Sequence, residues 1–221
     1  MPKGFSALIL DMDGVLADTE GIHVRAWDIA LSAIVGATPG GPGSAELREE
    51  RSRLAGMSSP AIARELIQIF RLPFSVEALV EKKRAVFRRL IEVELAPFVG
   101  LREELQKWRG GPLALATSSA RTETTLILGR MGFEGWFDPI ITSDDVSRAK
   151  PAPDCYALAI QRLGVPPAQC IAVEDSLHGI RAARSAGAGV VAVATSELPE
   201  HIDGVLGIFP STVAALKWLR Q

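Results

Sequence analysis

The sequence predicts an α/β fold, a doubly wound parallel sheet of the Rossmann-like type into which an α-helical module is inserted. Two observations carry this prediction. From residue 97 onward, short apolar runs typical of buried strands alternate with helical patterns, as in right-handed βαβ units. A further strand pattern, at residues 5–11, is separated from them by residues 20–93, which contain helical patterns alone. We therefore expect the first strand to belong to the same sheet, with the helices as an insertion after it.

The first strand ends in two carboxylates, Asp11 and Asp13, and Gly14 follows at once. Acidic residues that begin a loop are common, but a carboxylate at the end of a buried strand is costly unless something compensates its charge. A metal ion, a helix N-terminus or a lysine could do so. A calcium-binding loop also begins Asp-x-Asp, yet its fifth and twelfth positions would fall here on Val15 and Ile22, which offer no side-chain oxygen.

Four helical patterns make up the inserted module: residues 20–35, 45–54, 59–70 and 76–93. The run 36–43, rich in glycine and proline, predicts an exposed loop between the first two. In the last helix, apolar residues line one stripe, so we expect its basic residues to lie on a solvated face: Lys82, Lys83, Arg88 and Arg89. We assign residues 18–94 to this module, and residues 1–17 and 95–221 to the α/β core.

The core continues from residue 101 with regular alternation. Helices are predicted at 101–108, 121–131, 154–163, 177–186 and 212–219, and strands at 112–116, 139–142, 170–173, 190–194 and, more weakly, 206–209. In an open α/β sheet the site lies beyond the carboxyl ends of the strands, where the strand order reverses. The residues at those ends are therefore the candidates for chemistry.

Bulk properties narrow the function classes. The chain has 221 residues and a formal net charge of -2, which gives no reason to expect nucleic acid or an anionic membrane as a partner. It has two cysteines, Cys155 and Cys170, and no signal-peptide pattern, so we expect buried thiols and a cytoplasmic protein. We expect a monomer or a weak homodimer.

Three further groups stand at the predicted strand ends. They are Thr117-Ser118-Ser119, Glu174-Asp175-Ser176 and Lys150, the last in a loop stiffened by prolines. Each alone has an ordinary explanation, as a helix cap or a surface lysine. Together, acids, hydroxyls and one lysine at one edge of a sheet suit a divalent cation and a phosphate, and hard oxygen ligands favour Mg2+.

These residues resemble the motifs of the haloacid-dehalogenase-like hydrolase superfamily. The first motif is similar to residues 11–19, the second to 116–119, the third to 150–154 and the fourth to 174–179, with a helical cap between the first and second. Within it, residues 22–27 and 173–180 resemble the β-phosphoglucomutase-like and phosphoglycolate-phosphatase-like group. The resemblance implies a Rossmann-like core with an inserted α-helical cap domain.

The resemblance also implies roles, residue by residue. Asp11 would be the nucleophile and Asp13 the general acid and base, while Lys150 would balance the charge of Asp11. Thr117 and Ser118 would bind the phosphoryl group of a small phosphorylated substrate. Mg2+ would be held by the Asp11 carboxylate, the Asp13 backbone carbonyl, Asp175 and Glu174, the last either directly or through water.

Superfamily membership leaves the reaction open. Asp13 disfavours a dehalogenase, which needs no general acid. A β-phosphoglucomutase-like enzyme would carry a lysine and an arginine in its cap, where this chain has Ala55 and Ser59, although Arg25, Arg53 or Arg121 could substitute. We therefore expect a phosphatase, with the mutase and a catalytically silent binding protein as alternatives. We expect the residues that select the substrate to include His23, Ser58, Ser59 and Arg121.

Overall fold

The computed structural model describes residues 4–35, 44–54, 57–95, 97–108, 111–195 and 198–221. The chain forms two compact units, one of Met1–Asp18 with Ala96–Gln221 and one of Thr19–Leu95. The predicted loop 36–43 and the predicted cap position Ala55 lie outside the described residues.

The first unit holds strands β1 (Ala7–Leu10), β2 (Leu113–Ala116), β3 (Ile140–Ile141), β4 (Cys170–Glu174), β5 (Gly189–Val193) and β6 (Gly207–Phe209). Its helices are α5 (Leu101–Gln106), α6 (Arg121–Met131), α7 (Asp154–Leu163), α8 (Leu177–Ser185) and α9 (Thr212–Leu219), numbered after α1 to α4 of the second unit. Two short 3-10 helices, Ser143–Asp145 and Pro167–Gln169, complete it.

The six strands form one parallel sheet in the order β3-β2-β1-β4-β5-β6. Strand β1 is central, with Leu8 opposite Leu113 of β2 on one side and opposite Ile171 of β4 on the other. The strand order therefore reverses at β1, which confirms the doubly wound fold. It also brings the carboxyl ends of β1, β2 and β4 side by side, which is where ligands bind in such sheets.

Both faces of β1 are buried, because its side chains alternate in direction. Ala7 and Ile9 join a core with apolar residues of α7 and α8, including Ala159 and Ile180. Leu8 and Leu10 project to the opposite side and are also fully buried. A strand covered on both faces is typical of a parallel sheet, and it explains the continuous apolar run that marks β1 in the sequence.

In its described residues the second unit has helices as its regular secondary structure and no strand. It contains α1 (Glu20–Val35), α2 (Ser44–Arg53), α3 (Ser59–Phe70) and α4 (Val76–Glu94). Its core is formed by apolar residues of α1, α3 and α4, among them Trp27, Leu66 and Leu79. The Ser75 hydroxyl accepts a hydrogen bond from the Ala78 backbone N–H over 3.2 Å, which satisfies one of the unpaired donors where α4 begins.

One expectation about α4 is wrong. Lys83 does not lie on a solvated face, because it is only 3% exposed. Its Nζ lies 2.6 Å from Nδ1 of His23 and 4.5 Å from the centre of the Phe87 ring, and the His23 ring stacks on Phe87 at 4.1 Å. The helical unit thus contains a buried lysine whose amino group contacts both rings of a stacked histidine–phenylalanine pair.

Two further expectations concern the cysteines and membranes. Cys155 and Cys170 are buried free thiols, as the sequence predicted. No helix in the described part of the chain is both long enough and apolar enough to span a membrane.

Candidate active site

The site is built around the turn that follows β1. The backbone N–H of Asp11 donates to the Val173 carbonyl over 3.1 Å, which extends the pairing of β1 with β4 by one residue. The chain then turns, and Leu16 and Ala17 both donate to the Met12 carbonyl, at 2.8 and 2.9 Å. The Asp11 side chain is buried and that of Asp13 half-buried. The two carboxylates therefore lie at the carboxyl edge of the sheet, where the sequence predicted them.

Lys150 joins three segments at this edge. Its Nζ donates to Oδ1 of Asp11 and to Oε1 of Glu174, both at 2.6 Å, and to the Ala116 carbonyl at the end of β2 over 3.1 Å. The lysine side chain is only 6% exposed. A buried ammonium is stable when carboxylates pair with it, so Lys150 is a fixed positive charge beside Asp11.

Glu174, the last residue of β4, accepts hydrogen bonds from five donors. Its Oε1 accepts from Lys150 and, over 2.8 Å, from the Tyr156 hydroxyl. Its Oε2 accepts from the backbone N–H of Asp175 at 3.1 Å, and from the N–H and hydroxyl of Ser176 at 3.1 and 3.0 Å. The carboxylate is fully buried and held in one orientation.

Two glycines make room for the acidic side chains. A Cβ on Gly179, in the first turn of α8, would lie 1.7 Å from Oε1 of Glu174. A Cβ on Gly14 would lie 1.9 Å from Oδ2 of Asp175, and Gly14 also has a φ of +74° that favours glycine. The glycines in the first and fourth motifs are thus required by the carboxylates that pack against them.

Three of the buried acids could hold a metal ion. Carboxylate oxygens of Asp11, Glu174 and Asp175 lie within 4.8 Å of one another. Burial, reinforced by the charges of Glu174 and Asp13, raises the pKa of Asp11 to about 8, although Lys150 opposes this shift. Burial and the charges of Glu174, Asp11 and Asp13 raise the pKa of Asp175 to about 9. An all-oxygen donor set with excess negative charge fits a hard divalent cation such as Mg2+.

The carboxylates that contact Lys150 also keep its side chain protonated. Burial alone would lower its pKa, but Asp11 and Glu174 outweigh burial and raise it well above the usual value. The ammonium therefore persists across the neutral range, and it serves two carboxylates at once. Ionisation of Asp11 and Asp175 would add negative charge that Lys150 alone does not balance, which is why a further cation suits the site.

The hydroxyl segment lies between β2 and α6. The Thr117 backbone N–H donates to the Ile141 carbonyl at 2.9 Å, and its side chain is buried, whereas Ser118 is exposed. The Thr117 hydroxyl oxygen accepts from the Ser119 N–H over 3.0 Å, so its own proton can be donated elsewhere. Ser119 donates its hydroxyl to Oδ2 of Asp13 over 2.7 Å, which ties this segment to the turn after β1.

The structure brings the predicted core residues together: Asp11, Asp13, Thr117, Lys150, Glu174 and Asp175 all lie at the carboxyl ends of β1, β2 and β4 or in contact with them. Of the residues predicted to select the substrate, His23, Ser58 and Ser59 belong to the helical unit and Arg121 belongs to the α/β unit. His23 lies in the helical unit beside Lys83, and Ser58 and Ser59 stand at the start of α3. Arg121, the first residue of α6, pairs with Asp145 and donates to the Ile140 carbonyl over 3.2 Å.

Sequence reasoning missed the contributions of Tyr156, Ser119 and Thr195. Thr195 donates its hydroxyl to the Gly14 carbonyl over 2.6 Å and lies 3.5 Å from Oδ2 of Asp175. Two of the three had a sequence signal: Ser119 belongs to the hydroxyl group predicted at a strand end, and Tyr156 places a hydroxyl on the apolar face of α7, with Ala159 and Ile160 at helical spacing.

Comparisons with known proteins agree with this geometry. A family model described as haloacid dehalogenase-like hydrolase matches residues 5–187. The chain is 33% identical to fructose-1-phosphate phosphatase YqaB of Escherichia coli, over 87% of this chain and 98% of that protein. It is 34% identical to a phosphorylated carbohydrates phosphatase of Thermotoga maritima, over 82% and 81%. The crystal structure of CbbY from Rhodobacter sphaeroides in complex with phosphate has a TM-score of 0.81 at 27% identity, covering 95% of each chain.

Proposed function

Because the chain belongs to the haloacid dehalogenase-like hydrolase family, we propose that it hydrolyses a small phosphomonoester of the sugar phosphate type, with Asp11 as nucleophile and Mg2+ as cofactor. The observation that carries the proposal is the pairing of Asp11 with Lys150 over 2.6 Å, beside two further buried carboxylates. Phosphoryl transfer depends mostly on positioning and on neutralising charge, and this arrangement supplies both.

In the first step, a carboxylate oxygen of Asp11 attacks the phosphorus and the bond to the ester oxygen breaks. The ester oxygen takes a proton from Asp13 and leaves as an alcohol, and Asp11 becomes an aspartyl-phosphate. Lys150 holds Oδ1 of Asp11 in place throughout. The nucleophile therefore meets the phosphorus without having to be reoriented.

In the second step, Asp13 accepts a proton from water, the water oxygen attacks the phosphorus of the aspartyl-phosphate, and the bond between phosphorus and the Asp11 oxygen breaks. Inorganic phosphate leaves, and Asp11 regains its free carboxylate while Asp13 is again protonated. One residue serves as acid and then as base because the first step needs a proton donor and the second needs a proton acceptor. The two carboxylates thus divide the chemistry between them.

The phosphoryl oxygens need donors, and the segment before α6 offers them. The Thr117 hydroxyl can donate its proton, since its oxygen already accepts from the Ser119 N–H. The backbone N–H of Ser118 would be the second donor, close to the start of α6, where backbone N–H groups favour anions.

Asp11, Asp175 and the backbone carbonyl of Asp13 would hold Mg2+. The five donors to Glu174 favour a contact of that residue through water, and Mg2+ usually keeps several waters. When bound, Mg2+ supplies positive charge that neutralises the phosphoryl oxygens and the clustered carboxylates.

The ion pairs of three arginines favour hydrolysis over a mutase reaction. A mutase must grip a second phosphate, for which Arg25, Arg53 and Arg121 were the candidates. Each is paired with a carboxylate: Arg25 with Glu94, Arg53 with Glu49 and Glu50 at 2.9 and 3.0 Å, and Arg121 with Asp145. If β-glucose 1-phosphate were isomerised faster than any ester released phosphate, the hydrolase proposal would be wrong.

A phosphate-release screen tests the proposal. The protein is incubated with Mg2+ and a panel of sugar phosphates, phosphoglycolate, nucleoside monophosphates and p-nitrophenyl phosphate, and Asp11→Asn is the blank. We expect release from at least one sugar phosphate, and none above background with Asp11→Asn or with EDTA. Equal release by wild type and Asp11→Asn would overturn the role of Asp11. Variants of His23, Ser58 and Ser59 can then be compared by kcat/KM across the hits.

A further inference from the structure

The hydrogen bond between Ser119 and Asp13 links two segments that are 106 residues apart in sequence. Ser119 Oγ donates to Oδ2 of Asp13 over 2.7 Å. A carboxylate oxygen that accepts a hydrogen bond at this distance is constrained in both position and rotation. The Asp13 carboxyl group is therefore oriented before any substrate arrives.

Ser119 is itself held by its backbone. Its N–H donates to the Thr117 hydroxyl oxygen at 3.0 Å, and its carbonyl accepts from the Ser143 N–H at 3.0 Å, in the segment after β3. With donor and acceptor both engaged, the serine main chain is fixed between the ends of β2 and β3. Its hydroxyl is consequently a preorganised donor, and the cost of orienting it is met during folding.

We propose that Ser119 is a positioning residue for the general acid: through its hydrogen bond to Oδ2 it fixes the orientation of the Asp13 carboxyl group, which protonates the leaving oxygen. The inference rests on the proposed phosphatase function. A general acid is effective only when its carboxyl group is held within hydrogen-bond reach of the oxygen it protonates. Ser119 thus orients Asp13 without touching the reacting atoms.

Leaving-group dependence tests this role. An aryl phosphate such as p-nitrophenyl phosphate expels a good leaving group that needs little protonation, whereas an alkyl phosphate such as fructose 1-phosphate needs the acid. The quantity to measure is kcat/KM, which reports the steps up to and including transfer of the phosphoryl group to Asp11. Ser119→Ala should lose roughly 10-fold or more on the alkyl phosphate and less than about 2-fold on the aryl phosphate. The best alkyl phosphate of the screen replaces fructose 1-phosphate if the latter is a poor substrate.

Two controls separate positioning from a general structural effect. Ser119→Thr keeps a hydroxyl and should restore most of the alkyl activity. In the Asp13→Asn background, Ser119→Ala should leave the ratio of the two kcat/KM values unchanged, because the group it positions is already absent. This comparison remains informative even if Ser119→Ala also lowers the melting temperature.

The outcomes are distinct. A loss of equal size on both phosphates, as expected if Ser119 bound the phosphoryl group, would overturn the inference, and so would unchanged kinetics on both. In either case the phosphatase activity of the wild type would stand. If the wild type released phosphate from neither compound nor from the rest of the panel, the proposed function itself would fail, and the role of Ser119 with it.

Discussion

Tyr156 donates its hydroxyl to Glu174 over 2.8 Å, inside the core and beside the ammonium of Lys150. The tyrosine is fully buried, and its ring lies 4.8 Å from Nζ of Lys150. A residue of α7 therefore supports both the acid at the end of β4 and the lysine that pairs with Asp11. The catalytic edge of the sheet depends on a side chain that belongs to none of the four motifs.

Tyr156→Phe removes this hydroxyl and keeps the ring. We expect the free energy of unfolding to fall by about 1–2 kcal/mol, because Glu174 loses one buried donor. We expect kcat to fall several-fold as well, since Lys150 and Glu174 become less constrained. Urea unfolding and steady-state kinetics measure the two effects. Wild-type values for both would show that the Tyr156 hydroxyl contributes nothing to the site.

Lys150→Met replaces the ammonium with an apolar chain of similar length. Activity should fall by roughly 100-fold or more, because Asp11 and the phosphoryl group lose their positive neighbour. The variant should also respond differently to pH. The folded-state pKa of Asp11 lies above its ordinary value of 3.8, so its ionisation destabilises the metal-free fold progressively as pH rises from about 4 to 8.

Without Lys150 the folded-state pKa of Asp11 should rise further, so the loss of stability should continue above pH 8. Melting temperatures in EDTA at about pH 8 and about pH 9.5 measure it for both proteins. We expect a larger drop in Lys150→Met than in wild type. Equal drops would mean that Lys150 does not compensate the carboxylates.

Mg2+ affinity should rise with pH between about 6 and 9. Burial and neighbouring charges raise the pKa of Asp11 to about 8 and that of Asp175 to about 9, so protons must leave before the metal can bind. Each proton released adds about 10-fold in affinity per pH unit below the pKa concerned. Isothermal titration calorimetry in buffers of different ionisation enthalpy counts the protons. A pH-independent Kd over this range would contradict the raised pKa values.

Gly179→Ala should displace Glu174, since the new Cβ would lie 1.7 Å from its Oε1. We expect a loss of stability above about 2 kcal/mol and severe loss of activity, because backbone and buried carboxylate must both shift. Gly129→Ala, also within a helix, is the matched control. Its Cβ would meet only the end of the Glu134 side chain, at 3.3 Å, and alanine should add up to about 1 kcal/mol of helix stability there. Similar melting temperatures for the two variants would contradict the packing argument.

The sequence predicted the sheet and the helices closely, because apolar periodicity is set by burial within each element. It was less successful where a local contact decides the structure. The strand predicted at 139–142 is reduced to Ile140–Ile141, since Asp145 accepts from both the N–H and the hydroxyl of Thr142 at 2.8 Å and starts a 3-10 helix. Such a reciprocal cap depends on rotamers that periodicity does not encode.

The periodic pattern of apolar residues did not predict contacts between distant segments. Lys83 was assigned to a solvated face from residue type alone, but His23 and Phe87 enclose its side chain. The role of Ser119 depends on a partner in another loop, and motif spacing cannot supply that. The candidate residues of the core were found from the sequence because parallel strands bring their carboxyl ends to one edge. The orientation of each side chain depends on packing between segments, which the sequence pattern does not predict.

The central position of β1 has a consequence for synthesis on the ribosome. Residues Ala7–Leu10 emerge before their partners on both sides, which are Leu113–Leu115 of β2 and Cys170–Val173 of β4. The apolar β1 segment can therefore be paired on both edges only after β4 has been synthesised. Non-local pairing of this kind slows folding and leaves an aggregation-prone segment exposed until it is complete. Nascent chains that end before β4 should consequently bind chaperones through the β1 segment, and chains that include β4 should release them.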